Sequence, residues 1–280
     1  MSIYYTIQRG SFMRLVCVGE ITQDRYLLQN LTTVGGISLN QAVHARRCGA
    51  DVALISCIGS DQAGRAALEL LRRAGIDASR VLQRAGETAH QDIVITPEGE
   101  RIFPPGGYGS GVLADWALRP EDIAFTRDFD LVVAPYFSQV AHIFDAVMFD
   151  ANPRIRRAAD FLDWNELGGD IQRIERALPQ LDVAFLSGNQ QAIDLLEPLA
   201  QRHDCLMVVT LGAEGSVALA RGQRYYQAAL PVDQVVDTTG CGDAFAAAFL
   251  VRYMQDGNIP EALLAGAKQS ASVVSKFGAC

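Results

Sequence analysis

The sequence predicts an α/β domain: a mostly parallel sheet covered by helices on both faces, with a small β excursion in its first half. Three observations lead there. Short apolar runs alternate with segments of helical periodicity along most of the chain, the pattern of strand–helix–strand units. One stretch, residues 81–103, leaves that rhythm for strand-like patterning broken at Pro97-Glu98-Gly99-Glu100. Apolar residues make up 49% of the 280, enough for a substantial core.

Taken in order, residues 14–18 and 52–58 read as buried strands, with an amphipathic helix over 39–48 between them. The next helix, 62–74, stops at Gly75. Residues 81–103 read as a hairpin feeding the loop Pro104-Pro105-Gly106-Gly107-Tyr108-Gly109-Ser110-Gly111, together a small lid. Further buried strands are expected at 131–134, 183–187 and 205–210, separated by helices, then a hairpin from 216–220 and 224–227. Helices over 242–255 and 260–275 close the chain. With no repeat, low-complexity tract or linker, residues 13–280 are read as a single domain. Lid elements fall around 20–34 and 81–110, and residues 1–12 read as an N-terminal extension.

Composition narrows the function classes. A formal net charge of −8 argues against a general nucleic-acid binder, whose footprint is a basic stripe. Any phosphate site is therefore local, built from backbone and a few side chains. No apolar run reaches the roughly 20 residues of a membrane helix, and the first dozen residues lack a signal-peptide pattern. Six cysteines are scattered without a C-x-x-C pair, which reads as reduced thiols in the cytoplasm. His44, His90, His142 and His203 are also scattered, and a shared metal site is not expected, though His90 in the lid is a candidate to face substrate.

The segment richest in chemistry is Asp237-Thr238-Thr239-Gly240-Cys241-Gly242-Asp243-Ala244-Phe245, between a strand-like run and an apolar helix. Gly240 and Gly242 allow a tight turn and clear side chains from a phosphate. Amides at 240–242 then point out of a helix N-terminus, where the dipole favours negative charge. A carboxylate at Asp243 repels a phosphate rather than binding it, so it makes sense as the acceptor of a proton from an attacking hydroxyl. The plainer alternative is a glycine turn with an acidic helix cap.

This segment resembles the D-T-x-G-A-G-D signature of the ribokinase-like (PfkB) carbohydrate kinase family. Two others agree in order: Gly35-Gly36-Ile37-Ser38-Leu39-Asn40 with Ile58-Gly59-Ser60-Asp61, and Thr210-Leu211-Gly212-Ala213-Glu214-Gly215. The resemblance covers nearly all of residues 14–279. It implies a ribokinase-like three-layer α/β/α fold with a mostly parallel central sheet and a small β lid. It implies ATP as donor, Mg2+ held mainly by phosphates and water, and a small-molecule sugar as acceptor. Asp243 is then the base and the amides of Gly240, Cys241 and Gly242 the anion hole. Asp24, Gly35, Gly36 and Asn40 match sugar-holding positions, while Asn189, Thr210, Gly212, Gly215 and Ala271 match the nucleotide side. Asp237 and Thr239 match positions that bind a monovalent cation such as K+ in some relatives. A homodimer is compatible with the family; neither a nucleic acid nor a membrane is an expected partner.

Two departures stand out. The family's N-x-x-E element reads Asn189-Gln190-Gln191-Ala192 here, keeping the amide and lacking the carboxylate. Cys241 stands where alanine is usual, and a thiol at a helix N-terminus is expected to be acidic and oxidisable. The run 111–118, Asp160-Phe161-Leu162-Asp163 and the ending Phe277-Gly278-Ala279-Cys280 resemble the branch of the family acting on fructoselysine-like fructosamines. Asp160–Asp163 reads equally as a plain strand-terminal turn. A nucleoside kinase is the rival reading, with Tyr108, Phe137 or Trp164 as the slot for a base. A catalytically silent sugar- or nucleotide-binding relative is the other.

Overall fold

The computed structural model describes residues 13–150, 155–168 and 171–280; the expected extension, residues 1–12, lies outside the described residues. The main sheet has nine strands. Numbered in chain order these are β1 (Arg14–Val18), β4 (Asp51–Gly59), β5 (Asp77–Arg84), β9 (Leu131–Pro135), β10 (Arg156–Asp163), β11 (Val183–Ser187), β12 (Leu206–Thr210), β13 (Ser216–Ala220) and β14 (Gln223–Gln227). Their spatial order is β14-β13-β12-β11-β10-β9-β1-β4-β5. The seven strands from β12 to β5 pair in parallel, and β13 and β14 add an antiparallel hairpin at one edge.

The continuous apolar runs follow from this topology. A central parallel strand is covered on both faces, so Leu15, Val16, Cys17 and Val18 of β1 are all buried. One face packs under α1 (Ile37–Arg47), α2 (Gln62–Ala74), α7 (Cys241–Asp256) and α8 (Ile259–Val273). The other packs under α3 (Pro120–Thr126), α4 (Ala141–Met148), α5 (Ile171–Ala177) and α6 (Gln190–His203). These are the three layers of the expected fold. Helix α7 is apolar nearly all round because it is the central helix of its layer, lying between α1 and α8. Phe249 in its middle is fully buried and meets Phe185 of the sheet edge-on at 5.5 Å. Truncating such a ring to alanine costs about 3–5 kcal/mol.

A second sheet forms the lid: β2 (Thr22–Tyr26), β3 (Leu31–Gly35), β6 (Ala89–Ile95) and β7 (Arg101–Ile102), ordered β3-β2-β6-β7, with β8 (Tyr108–Gly109) also on β6. Tyr26, Ile93, Ile95 and Phe103 make its small core. The hairpin expected over 81–103 divides differently. Residues 81–84 belong to β5, which pairs in parallel with β4 (Val81 opposite Ser56), and the lid strand starts only at Ala89. Gly86, at φ 130°, lies in the connection that carries the chain from one sheet to the other. Among the described residues no helix is long and apolar enough to cross a membrane.

Candidate active site

A cavity of about 500 Å3 opens between the two sheets. Its floor includes residues just beyond the carboxyl ends of β1 and β9, Glu20 and Tyr136, with Leu162 at the end of β10. Its walls include Asn40 of α1 and Asp243 of α7, and lid residues roof it. The carboxyl edge of a parallel sheet is where such folds place ligands, because helix N-termini and loops converge there.

Gly240 adopts the left-handed conformation (φ 77°) as the N-cap of α7, and a Cβ there would collide with Ala279. Gly242, in the first turn, is the opposite case: a Cβ added there meets nothing within 4 Å, so the first turn of α7 is open on that side. That space suits an anion, since backbone N–H groups and the helix dipole face it. The Cys241 N–H itself bonds to Thr238 O at 3.2 Å. The thiol differs from the expectation of an acidic cysteine. Burial pushes it up to about 11, against the lowering effect of its contact with Ser270. All six cysteines are free.

Asp243 keeps part of its surface open to the cavity while sitting deep among protein atoms. Its Oδ2 accepts a hydrogen bond from Asn40 Nδ2 at 2.7 Å. Desolvation, then the negative field of Asp160, push its carboxyl up to about 7, while the Asn40 amide pulls the other way. A carboxylate poised near neutrality is a better base than an ordinary aspartate.

Strand alternation positions the residues expected on the sugar side. Along β2, Thr22, Asp24 and Tyr26 are buried while Gln23 and Arg25 face outward. Asp24 accepts from Thr22 Oγ1 at 2.8 Å, and burial pushes it up to about 7. Its carboxylate occupies the space a side chain at Gly35 would need, which is why residue 35 is glycine. Gly36, at φ 102°, caps α1 with its backbone pressed against Glu20 and Thr22. Asp24, Gly36 and Asn40 line the cavity together with Asp243.

Asp237 is fully buried and its carboxylate accepts three donors: Tyr26 OH at 2.7 Å, Thr239 N at 2.8 Å and Gly278 N at 3.0 Å. One side chain thus ties the lid, the turn before α7 and the C-terminus. Three donors already occupy the Asp237 carboxylate, while Thr239 Oγ1 beside it is buried with no hydrogen-bond partner.

Of the residues expected on the nucleotide side, Thr210 ends β12, Gly212 and Gly215 form the turn to β13, and Ala271 lies in α8. These lie outside the cavity lining. Asn189 is the N-cap of α6: its Oδ1 accepts from Ala192 N at 3.1 Å, and Ala192 is buried. Among the described residues no cluster of metal-ligating side chains occurs.

The structure adds polar groups to those of the signature motifs. Glu20 lies on the cavity wall and is pushed up to about 8 by burial. Asp160, left open as a turn or a site element, accepts from Gln41 Nε2 at 2.9 Å and Leu162 N at 3.0 Å, and burial raises it to about 6. Leu162 beside it holds φ 61°, strain of the kind kept at sites, and lines the cavity. Arg101 on β7 also lines the cavity, and its positive field bears on Asp24, Asp160 and Asp243. Of these added groups, Glu20 carries a signal, an acid two residues past the carboxyl end of β1, whereas Asp160 lies inside β10 and Arg101 begins β7. His90 instead packs its ring on Gly109. His44 is buried and neutral: Nε2 donates to Ala279 O at 2.8 Å while Nδ1 accepts from Gln269 at 3.0 Å.

Comparison with known proteins places this site in context. The chain is 32% identical to fructoselysine 6-kinase of Escherichia coli (strain K12) over 274 residues, covering 95% of this chain and 98% of that one. It is 28% identical to fructosamine kinase FrlD of Bacillus subtilis (strain 168), covering 95% and 93%. Its fold matches the crystal structure of adenosine kinase from Sinorhizobium meliloti with a TM-score of 0.82 at 21% identity, covering 96% of each chain. The family model for pfkB family carbohydrate kinases matches residues 14–137 and 178–280, and the chain belongs to that family of sugar kinases.

Proposed function

We propose that this kinase transfers the γ-phosphate of ATP to the hydroxyl of a fructosamine farthest from its amine, with fructoselysine the preferred substrate. The observation that carries the reading is the pairing of Asp243 with Asn40 beside open space at the α7 N-terminus, inside a cavity rich in carboxylates. The relatives named for fructoselysine and fructosamine support the substrate class.

In this mechanism the sugar hydroxyl lies against Asp243, which takes its proton as phosphoryl transfer proceeds. Asp24 and Asn40 hold other hydroxyls. The Gly240 and Gly242 amides and the α7 dipole face the transferring phosphate, where one such donor contributes about 3 kcal/mol. A positioned base adds ~10²–10⁴-fold. Asn189, Thr210, Gly212, Gly215 and Ala271 form the nucleotide edge. Mg2+, when bound with the nucleotide, would be held mainly by the phosphates and water and would neutralise phosphate charge. Among the described residues no cluster of metal-ligating side chains occurs, and Asn189 Oδ1 is engaged in its helix cap. Asp237 serves as a latch rather than a cation ligand. Free thiols and use of ATP suit the cytoplasm.

A nucleoside kinase remains the second reading because Tyr108 and Phe137 both line the cavity, edge to face at 5.8 Å. Trp164 is buried in the core and cannot serve as that slot. Product analysis by 31P and 13C NMR tests the proposal. Phosphate on C6 of fructoselysine supports it; phosphate on the anomeric or C3 oxygen, or no product at all, refutes it.

A further inference from the structure

Glu20 is a buried acid that the transfer chemistry does not use. It is 2% exposed and lies on the cavity wall directly after β1. Its Oε1 accepts the Ile37 N–H at 2.8 Å and so holds the first turn of α1. Its Oε2 is buried with no hydrogen-bond partner. The hydroxyl of Tyr108, also on the cavity wall, is likewise buried and unpartnered, and the Glu20 charge bears on it. Phe137 packs against the Tyr108 ring, and Ile93 and Phe103 continue the wall.

Leaving a buried oxygen unpaired is costly, and a purely structural acid has no reason to carry that cost. The charges that bear most on Glu20 are Asp243 and Asp160, both negative, so the protein itself opposes its ionisation. A neutral hydroxyl would give it a donor and leave that repulsion in place. A cation supplies both the donor and the compensating charge, and aromatic rings beside a carboxylate favour a cation further.

We infer that Glu20 and Tyr108 form an ammonium subsite that reads the amine of an amine-bearing sugar. This rests on the fructosamine reading above and names the residues that select the amine. Glu20 Oε2 accepts from the ammonium, Oε1 stays on Ile37, and Tyr108 turns its hydroxyl oxygen or ring face to the same group.

The test compares kcat/KM for 1-amino-1-deoxyfructose and fructose, which differ only by an ammonium in place of a hydroxyl. Wild type favours the amine. Glu20→Gln keeps an acceptor for Ile37 N–H and removes the charge, and the amine-over-fructose ratio drops at least about tenfold. Tyr108→Phe lowers the ratio about threefold, and it carries the test alone should Glu20→Gln fail to fold. If both sugars lose kcat/KM in proportion, so that the ratio holds in the variants, Glu20 is only a helix anchor and the subsite is wrong while the kinase reading stands. If wild type favours a nucleoside over both sugars, the fructosamine reading fails and the subsite with it.

Discussion

Asn40 and Asp243 lie 203 residues apart in the chain and meet at 2.7 Å, Nδ2 of one donating to Oδ2 of the other. The bond joins the first turns of α1 and α7, two helices packed side by side. It fixes the orientation of the carboxylate proposed as the base and stabilises its charged form against the surrounding burial.

Asp243→Asn preserves shape and removes proton acceptance. Its kcat should fall at least ~10²-fold while the KM for ATP changes little. Steady-state kinetics with ADP-release detection reads this directly. Turnover near wild type would remove Asp243 from the base role.

The pH profile follows from the raised carboxyl. With Asp243 at about 7, the base is protonated below that pH and free above it, so kcat/KM should climb through neutrality and level off on the alkaline side. Asp24 and Glu20, also raised, make the observed midpoint a property of the cluster. Asn40→Ala removes a donor that favours the charged form, so its limb should move to higher pH. A limb near the ordinary aspartate value of ~3.9 would contradict the account.

Asp237→Ala strands three donors, Tyr26 OH, Thr239 N and Gly278 N, in a buried place. A loss of about 3 kcal/mol or more is expected in urea unfolding, against roughly 1 kcal/mol for Tyr26→Phe. Because that carboxylate is spent on donors, rates in K+ and Na+ should coincide. Strong activation by K+ alone would show that Asp237 is a ligand after all.

The Cys241 thiol, pushed up to about 11, should alkylate on the order of a hundredfold more slowly at neutral pH than a free thiol of ~8.5. Cys241→Ala should stay active. Rapid labelling of Cys241 followed by mass spectrometry would mean that the helix N-terminus, not burial, sets its acidity.

Local signals in the sequence carry several elements directly. The helix expected over 62–74 is Gln62–Ala74, because Asp61 caps it and Gly75 ends it in the left-handed conformation. The strands expected at 14–18 and 183–187 are β1 and β11, since their apolar runs need only a sheet covered on both faces. Non-local features were harder. The division between β5 and β6 depends on which strand Val81 pairs with, and its own alternation does not say. The helix position of Cys241 predicts an acidic thiol, whereas packing from distant segments decides its acidity. Glu20 carries a weak signal, an acid just past a buried strand, that gains meaning only once the sheet brings β1, β9 and β10 to one edge.

The most direct test is a side-by-side measurement of kcat/KM with ATP for fructoselysine, fructose, ribose and adenosine. The account predicts that fructoselysine leads, with fructose and ribose behind it and adenosine last. A lead of tenfold or more for ribose or adenosine, about 1.4 kcal/mol of transition-state preference, would contradict it.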